Sequence, residues 1–184
     1  IDVHTHLENE DYNKDREELI ARLKKELSGV ITSCAHPRDY DLTMDLVERH
    51  KNFVFSCCSI HPIYIKEISE KDKKEYFQKL RKNKDKIVAV GETGLDYYWI
   101  KEEKWREKQK ELFREHIKLS RDLKKPVVVH ARESYEDCVE ILEEEDAELV
   151  NLHMFGGRKI LERVISNQWF ISMNAILLRS KNHK

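Results

Sequence analysis

The sequence predicts an α/β fold of the TIM-type (β/α)8 barrel class, with seven of the eight strands present in this chain. Three observations lead there: seven short apolar or β-branched runs, segments of helical period between them, and polar, metal-binding residue types where five of the runs end. Apolar residues in the runs are consecutive, which marks strands covered on both faces, as in a parallel sheet. Regular alternation of strand and helix implies parallel strands joined by right-handed crossovers.

Strands are expected at 1–3, 30–34, 53–60, 87–90, 126–129, 149–152 and 170–173. Between them, Leu19, Ile20, Leu23 and Leu27 share one helical face, as do Leu42, Leu46 and Val47, and then Tyr76, Phe77 and Leu80. Leu112, Phe113, Ile117 and Leu119 mark a longer helix, Cys138, Ile141 and Leu142 a fifth, and Ile160, Leu161, Val164 and Ile165 a sixth. The opposite faces are rich in Lys and Glu, as suits helices with one side in water.

Composition narrows the class. The 184 residues include 34 Lys+Arg against 35 Asp+Glu, so the formal net charge is −1 even though 38% of the chain is charged. A polybasic nucleic-acid sleeve is excluded, and an anionic ligand has to be held by local groups or by metal ions. Five Gly and three Pro leave no linker, so residues 1–184 are expected to be one barrel domain, C-terminally incomplete. No apolar run approaches the roughly 20 residues that cross a bilayer, and the first residues have no signal-like core. A cytoplasmic protein without a membrane or an obligate protein partner is therefore expected. Cys34, Cys57, Cys58 and Cys138 form no Cys-x-x-Cys pair and are expected to be reduced and buried.

A doubly wound sheet would fit the alternation equally well; the polar residues favour the barrel. The first strand carries Asp2, His4 and His6, the third ends at His61-Pro62, the fourth at Gly91-Glu92, the fifth at His130 with Arg132, and the sixth at His153. Histidines two apart on an extended chain project to one face and can grip one ion. Imidazole and carboxylate suit Zn²⁺, Mn²⁺ or a related divalent cation. A barrel gathers the C-terminal ends of its strands at one mouth, whereas an open sheet spreads them along a row. A mouth holding His4, His6, Glu92, His130 and His153 is thus expected. His36, before Pro37, is a further candidate with no second partner, while His50, His116 and His183 read as surface residues.

These stretches resemble the TatD family of metal-dependent deoxyribonucleases, a branch of the amidohydrolase-like metal barrels. The matching residues are Asp2-Val-His-Thr-His6, Ile60-His-Pro62, Val90-Gly-Glu-Thr-Gly-Leu-Asp-Tyr-Tyr98, Pro126-Val-Val-Val-His-Ala-Arg132 and His153-Met-Phe-Gly-Gly157. The resemblance implies that His4, His6, Glu92, His130 and His153 are metal ligands, with Glu92 bridging two divalent ions (Mg²⁺, Mn²⁺ or Zn²⁺). It casts His61 and Arg132, with Glu92, as catalytic residues, the first two contacting the phosphate or leaving group. Ser59-Ile60 stands where the family usually has Gly before His-Pro, and His116 where the helix after the fourth strand often repeats Gln, although Gln109 matches the first Gln. The family's final acidic Thr-Asp strand has no counterpart here, so strand 1 and the strand near Ser172 are expected to stand about 10 Å apart, one strand's width.

The implied chemistry is two-metal hydrolysis of DNA, single-stranded or end-accessible. Tyr97, Tyr98 and Trp99, followed by Lys101, Lys104 and Arg106, could receive an unpaired end by stacking and charge. An amidohydrolase cleaving a C–N or ester bond, and a non-catalytic metal-binding barrel, are the competing readings. Glu92, at the fourth strand where a carbamylated lysine would sit in the former, leans toward phosphodiester chemistry.

Overall fold

A computed structural model describes residues 1–178. Seven strands, β1 (Asp2–Thr5), β2 (Val30–Cys34), β3 (Val54–Cys58), β4 (Ala89–Asp96), β5 (Val127–Arg132), β6 (Val150–Leu152) and β7 (Phe170–Ile171), form one sheet in the order β1-β2-β3-β4-β5-β6-β7. Every neighbouring pair is parallel. The crossovers carry α1 (Arg16–Leu23), α2 (Tyr40–Arg49), α3 (Glu70–Lys82), α4 (Glu103–Leu123), α5 (Tyr135–Glu144) and α6 (Leu161–Ser166). Strands that pair only with their sequence neighbours wind the sheet one way, into a curled part-barrel. Among the described residues β1 and β7 are its two edges and do not pair. Residues 179–184, and with them His183, lie outside the description.

The helices pack where the apolar spacing places them. Leu7, Ile20, Val30, Leu46 and Val54 fill the space under α1 and α2, while Tyr76, Phe77, Leu80, Val90, Leu112 and Leu119 fill it under α3 and one side of α4. Phe113, Ile117, Val127, Val129, Leu142 and Leu152 complete the largest cluster, under α4 and α5. Residues of opposite strand parity, Cys57, Ala89 and Val128, line the inside of the curl. All four cysteines are buried and unpaired.

Two sequence expectations are corrected. His116 is not a surface residue: it is 0% exposed, three and four residues from Phe113 and Leu112 on the buried stripe of α4. His50 is half-buried, its ring held between Lys24, 3.1 Å from Nδ1, and Glu17, 3.1 Å from Nε2. β4 also runs six residues beyond its apolar run, to Asp96, because its polar side chains find partners inside the curl and on α4.

Candidate metal centre

Glu92 reaches the inside of the curl through an irregularity. Val90 pairs with Val127 and Thr93 with Val129, three steps on β4 against two on β5. The extra residue reverses the alternation. Val90 and Thr93 both face the helices, and Glu92 faces inward, where plain alternation from Val90 would have turned it out. Glycines make this possible. At Gly91 (φ +157°) an added Cβ would stand 2.6 Å from the Val128 carbonyl oxygen, and at Gly94 (φ +136°) it would run into the His130 carbonyl. The close approach of β4 to β5 at Gly94 brings His130 beside Glu92.

Glu92 is 4% exposed and is the hub of the site. Its Oε1 lies 2.8 Å from His130 Nδ1 and 3.8 Å from both His61 Nε2 and His153 Nε2, and its Oε2 lies 3.3 Å from His4 Nε2. His4 and His6, alternating on β1 and just beyond it, bring their Nε2 atoms within 3.1 Å of each other. Donor atoms of His4, His6 and Glu92 form one group, all within 4.8 Å of one another, and those of His61, Glu92 and His130 form a second. His153 belongs to neither group and instead stacks on His4, ring centroids 3.6 Å apart. The cavity over these residues measures about 410 Å³ and opens between β1 and the segment Ser172–Asn174.

Outer contacts aim the rings. His6 Nδ1 lies 3.0 Å from Glu8 Oε1, whose partner oxygen accepts the Thr32 hydroxyl at 2.5 Å. His4 Nδ1 lies 3.2 Å from Ser33 Oγ. His130 Nε2 lies 2.9 Å from Asp96 Oδ2. Carboxylates only accept, so a ring with one on each nitrogen donates from both. Burial alone would lower the His130 pKa, but Asp96 and Glu92 outweigh it and raise it to about 9. Burial would raise the Glu92 carboxyl, yet the hydrogen bond with His130 and the nearby rings of His4 and His61 hold it well below the usual carboxylate range. Burial takes His153 down to about 3 and also lowers His61.

The donor set fits divalent cations. Two imidazole nitrogens 3.1 Å apart cannot both carry protons toward each other, and that spacing suits two ligands each about 2.0–2.1 Å from one ion. A buried carboxylate whose two oxygens face different histidine groups suits a bridge.

All five residues expected at the mouth, with His61, line this cavity. Sequence reasoning gave no role to Asp96 and Glu8, both buried. The available signals were the position of Asp96 in the Gly91–Asp96 block and the spacing of two that places Glu8 in phase with His4 and His6. His36 lies outside both ligand groups; its Nδ1 accepts the Arg38 backbone N–H at 3.0 Å.

Beside the centre, the aromatic cluster divides. Tyr97 gives its hydroxyl to Asp137 at 2.6 Å, and Arg106 lies over Tyr97 (4.4 Å) while donating to the Ile100 carbonyl, so both brace the loop. Tyr98 and Trp99 are exposed, with the Arg132 guanidinium 4.0 Å and 5.6 Å from their ring centres and Lys101 Nζ 5.3 Å from that of Tyr98. Arg132 is itself exposed.

The family model described as TatD related DNase matches residues 1–184. A protein of Buchnera aphidicola subsp. Baizongia pistaciae named "Uncharacterized metal-dependent hydrolase" is 35% identical over 192 residues, covering 100% of this chain and 69% of its own length. Human "Deoxyribonuclease TATDN3" is 27% identical, covering 98% of this chain and 69% of its own. In fold, a crystal structure of a TatD family hydrolase from Entamoeba histolytica superposes with a TM-score of 0.87 at 21% identity, over 99% of this chain and 67% of that one. The chain thus spans about two thirds of the length of each.

Proposed function

Because this chain belongs to the TatD-related DNase family, we propose that it is a metal-dependent hydrolase that cleaves phosphodiester bonds in DNA, single-stranded or end-accessible. The observation that carries this reading is the division of the Glu92 oxygens between two histidine groups, Oε2 toward His4 and Oε1 toward His130 and His61. His4 and His6 would hold one divalent ion and His130 a second, with Glu92 shared and His153, stacked on His4 with its Nε2 3.8 Å from Glu92 Oε1, beside both. Two such ions, Mg²⁺, Mn²⁺ or Zn²⁺, supply activated water at neutral pH and charge to stabilise the attacking and leaving oxygens.

The protein residues do the rest. His61, buried and held neutral, faces the same carboxylate and is placed to hydrogen-bond the leaving oxygen. Arg132 presents a fork suited to two phosphate oxygens, and its stacking on Tyr98 limits the side-chain freedom that binding would otherwise cost. Exposed Trp99 offers an unpaired base a stacking face, which disfavours intact duplex.

The test is digestion of single-stranded DNA with Mg²⁺, Mn²⁺ or Zn²⁺ added, alongside a small phosphodiester and an acyl-amide substrate. Metal-dependent cleavage of the first two supports the reading. Turnover of the acyl amide alone would move the protein to amidohydrolase chemistry, and no turnover with bound metal to a non-catalytic role.

A further inference from the structure

Asp96 is 1% exposed, ends β4, and spends its two carboxylate oxygens on different parts of the molecule. Oδ2 faces His130 Nε2 at 2.9 Å, on the side of the ring opposite Glu92. Oδ1 accepts the backbone N–H of Trp99 at 2.8 Å and so fixes the first turn of the exposed aromatic loop. The Asp96 backbone is itself clamped: its N–H donates to Gln109 Oε1 at 3.1 Å, and Gln109 Nε2 donates to the Pro62 carbonyl at 3.0 Å, next to His61.

We propose that Asp96 is a positioning residue that anchors the metal centre and the Trp99 shelf through one carboxylate, so that ion binding and capture of an unpaired strand depend on the same side chain. The second half of this rests on the DNA reading above. With a carboxylate at Nε2, His130 keeps its proton on the Asp96 side, so that an incoming cation displaces the proton that Nδ1 gives to Glu92 and meets the Nδ1 lone pair. Such outer carboxylates orient ligand imidazoles, and their loss typically weakens metal binding about 10- to 100-fold. At the other oxygen, the Trp99 N–H is held so that the indole stands at the rim beside Arg132.

Asp96→Asn separates these demands because it changes chemistry without changing shape. An amide has one accepting oxygen and one donating nitrogen. With its NH2 against His130, the ring must accept at Nε2 and keep its one proton on Nδ1, which leaves no Nδ1 lone pair for a cation. With the amide turned over, its NH2 meets the Trp99 N–H, donor against donor. Either way one anchor is lost, and exchange between the two weakens both.

The experiment measures three quantities on wild-type and variant protein: Mn²⁺ affinity by calorimetry, binding of fluorescein-labelled oligothymidylate in the presence of chelator, and the melting temperature without metal. Asp96→Asn is expected to weaken Mn²⁺ at least about 10-fold and oligothymidylate severalfold, with little change in melting. Trp99→Ala, which keeps its backbone N–H, should lose oligothymidylate alone. Unchanged Mn²⁺ affinity in Asp96→Asn, or loss of Mn²⁺ with unaltered oligothymidylate binding, would overturn the shared anchor. Wild-type protein that holds Mn²⁺ but no oligothymidylate would overturn the DNA reading, and the shelf half of the proposal with it. Should Asp96→Asn fail to fold, Asp96→Glu, which keeps the charge and lengthens the arm, is read by the same outcomes.

Discussion

The imidazoles of His4 and His153 stack with their centroids 3.6 Å apart, although their strands are five places apart in the sheet. In a flat sheet, five spacings of about 4.8 Å would separate them by about 24 Å. The curl removes that distance and gathers His4, His61, His130 and His153 around Glu92. Among the described residues the open side lies between β1 and β7, where Val3 and Ile171 are exposed.

Replacing Glu92 by Gln should abolish hydrolysis while leaving the fold intact. An amide keeps the shape and loses the charge and one acceptor, so a shared ligand becomes a poor one. A loss of at least about 100-fold in kcat is expected, with melting of the metal-free protein within a few degrees. Wild-type turnover at saturating metal would refute the bridging role.

Arg132→Lys should raise KM for DNA severalfold and leave metal content unchanged, because a point charge replaces a planar fork and forfeits stacking on Tyr98. Metal analysis of the purified variant and parallel kinetics on a small acyl substrate check it. Equal losses on both substrates would remove Arg132 from phosphate recognition.

Gly94→Ala should destabilise the protein by about 3 kcal/mol or more, since an added methyl meets the His130 carbonyl at a φ that side chains rarely adopt. Urea unfolding measures the loss. A variant as stable as wild type would show that β4 and β5 can separate there.

His116 predicts an acid-sensitive stability. Its Nε2 accepts the Ile60 N–H at 3.2 Å, so Nδ1 carries the proton and faces the Leu112 carbonyl at 2.9 Å. Burial lowers its pKa from 6.5 to about 4. Between those values the unfolded chain binds the proton and the folded one does not. Stability from keeping this ring neutral is therefore complete above pH 6.5 and is lost as pH falls toward 4. The full effect is about 3 kcal/mol. Urea midpoints of wild type and His116→Gln should differ most at neutral pH and converge on acidification; a gap that stays constant from pH 7 to pH 4.5 would contradict the neutral assignment.

Much of the architecture was legible in the residues. The run at 30–34 is the whole of β2, and the six apolar stripes fall on α1 to α6 apart from Leu27, past the end of α1, Ile160, in the turn before α6, and Ile165, which is exposed, because burial on a regular element leaves a local, periodic imprint. The barrel inference came from His4, His6, His61, Glu92, His130 and His153, whose strand-end positions imply convergence in a curled sheet. His116 was misread although its spacing from Leu112 and Phe113 already put it on the buried stripe; residue polarity was weighed above position.

What local pattern could not supply was the pairing of groups across the curl. The register slip at Gly91 turns Glu92 inward, and it exists only in relation to β5. Asp96 meets both His130 and Trp99, Arg106 braces Tyr97, and Arg132 rests on Tyr98, each a contact between segments distant in sequence or set by a loop path. Periodicity reports which face of an element a residue occupies, a property of its immediate neighbours. Which partner it meets there depends on strand register and sheet curvature, and those are set by packing of the whole chain.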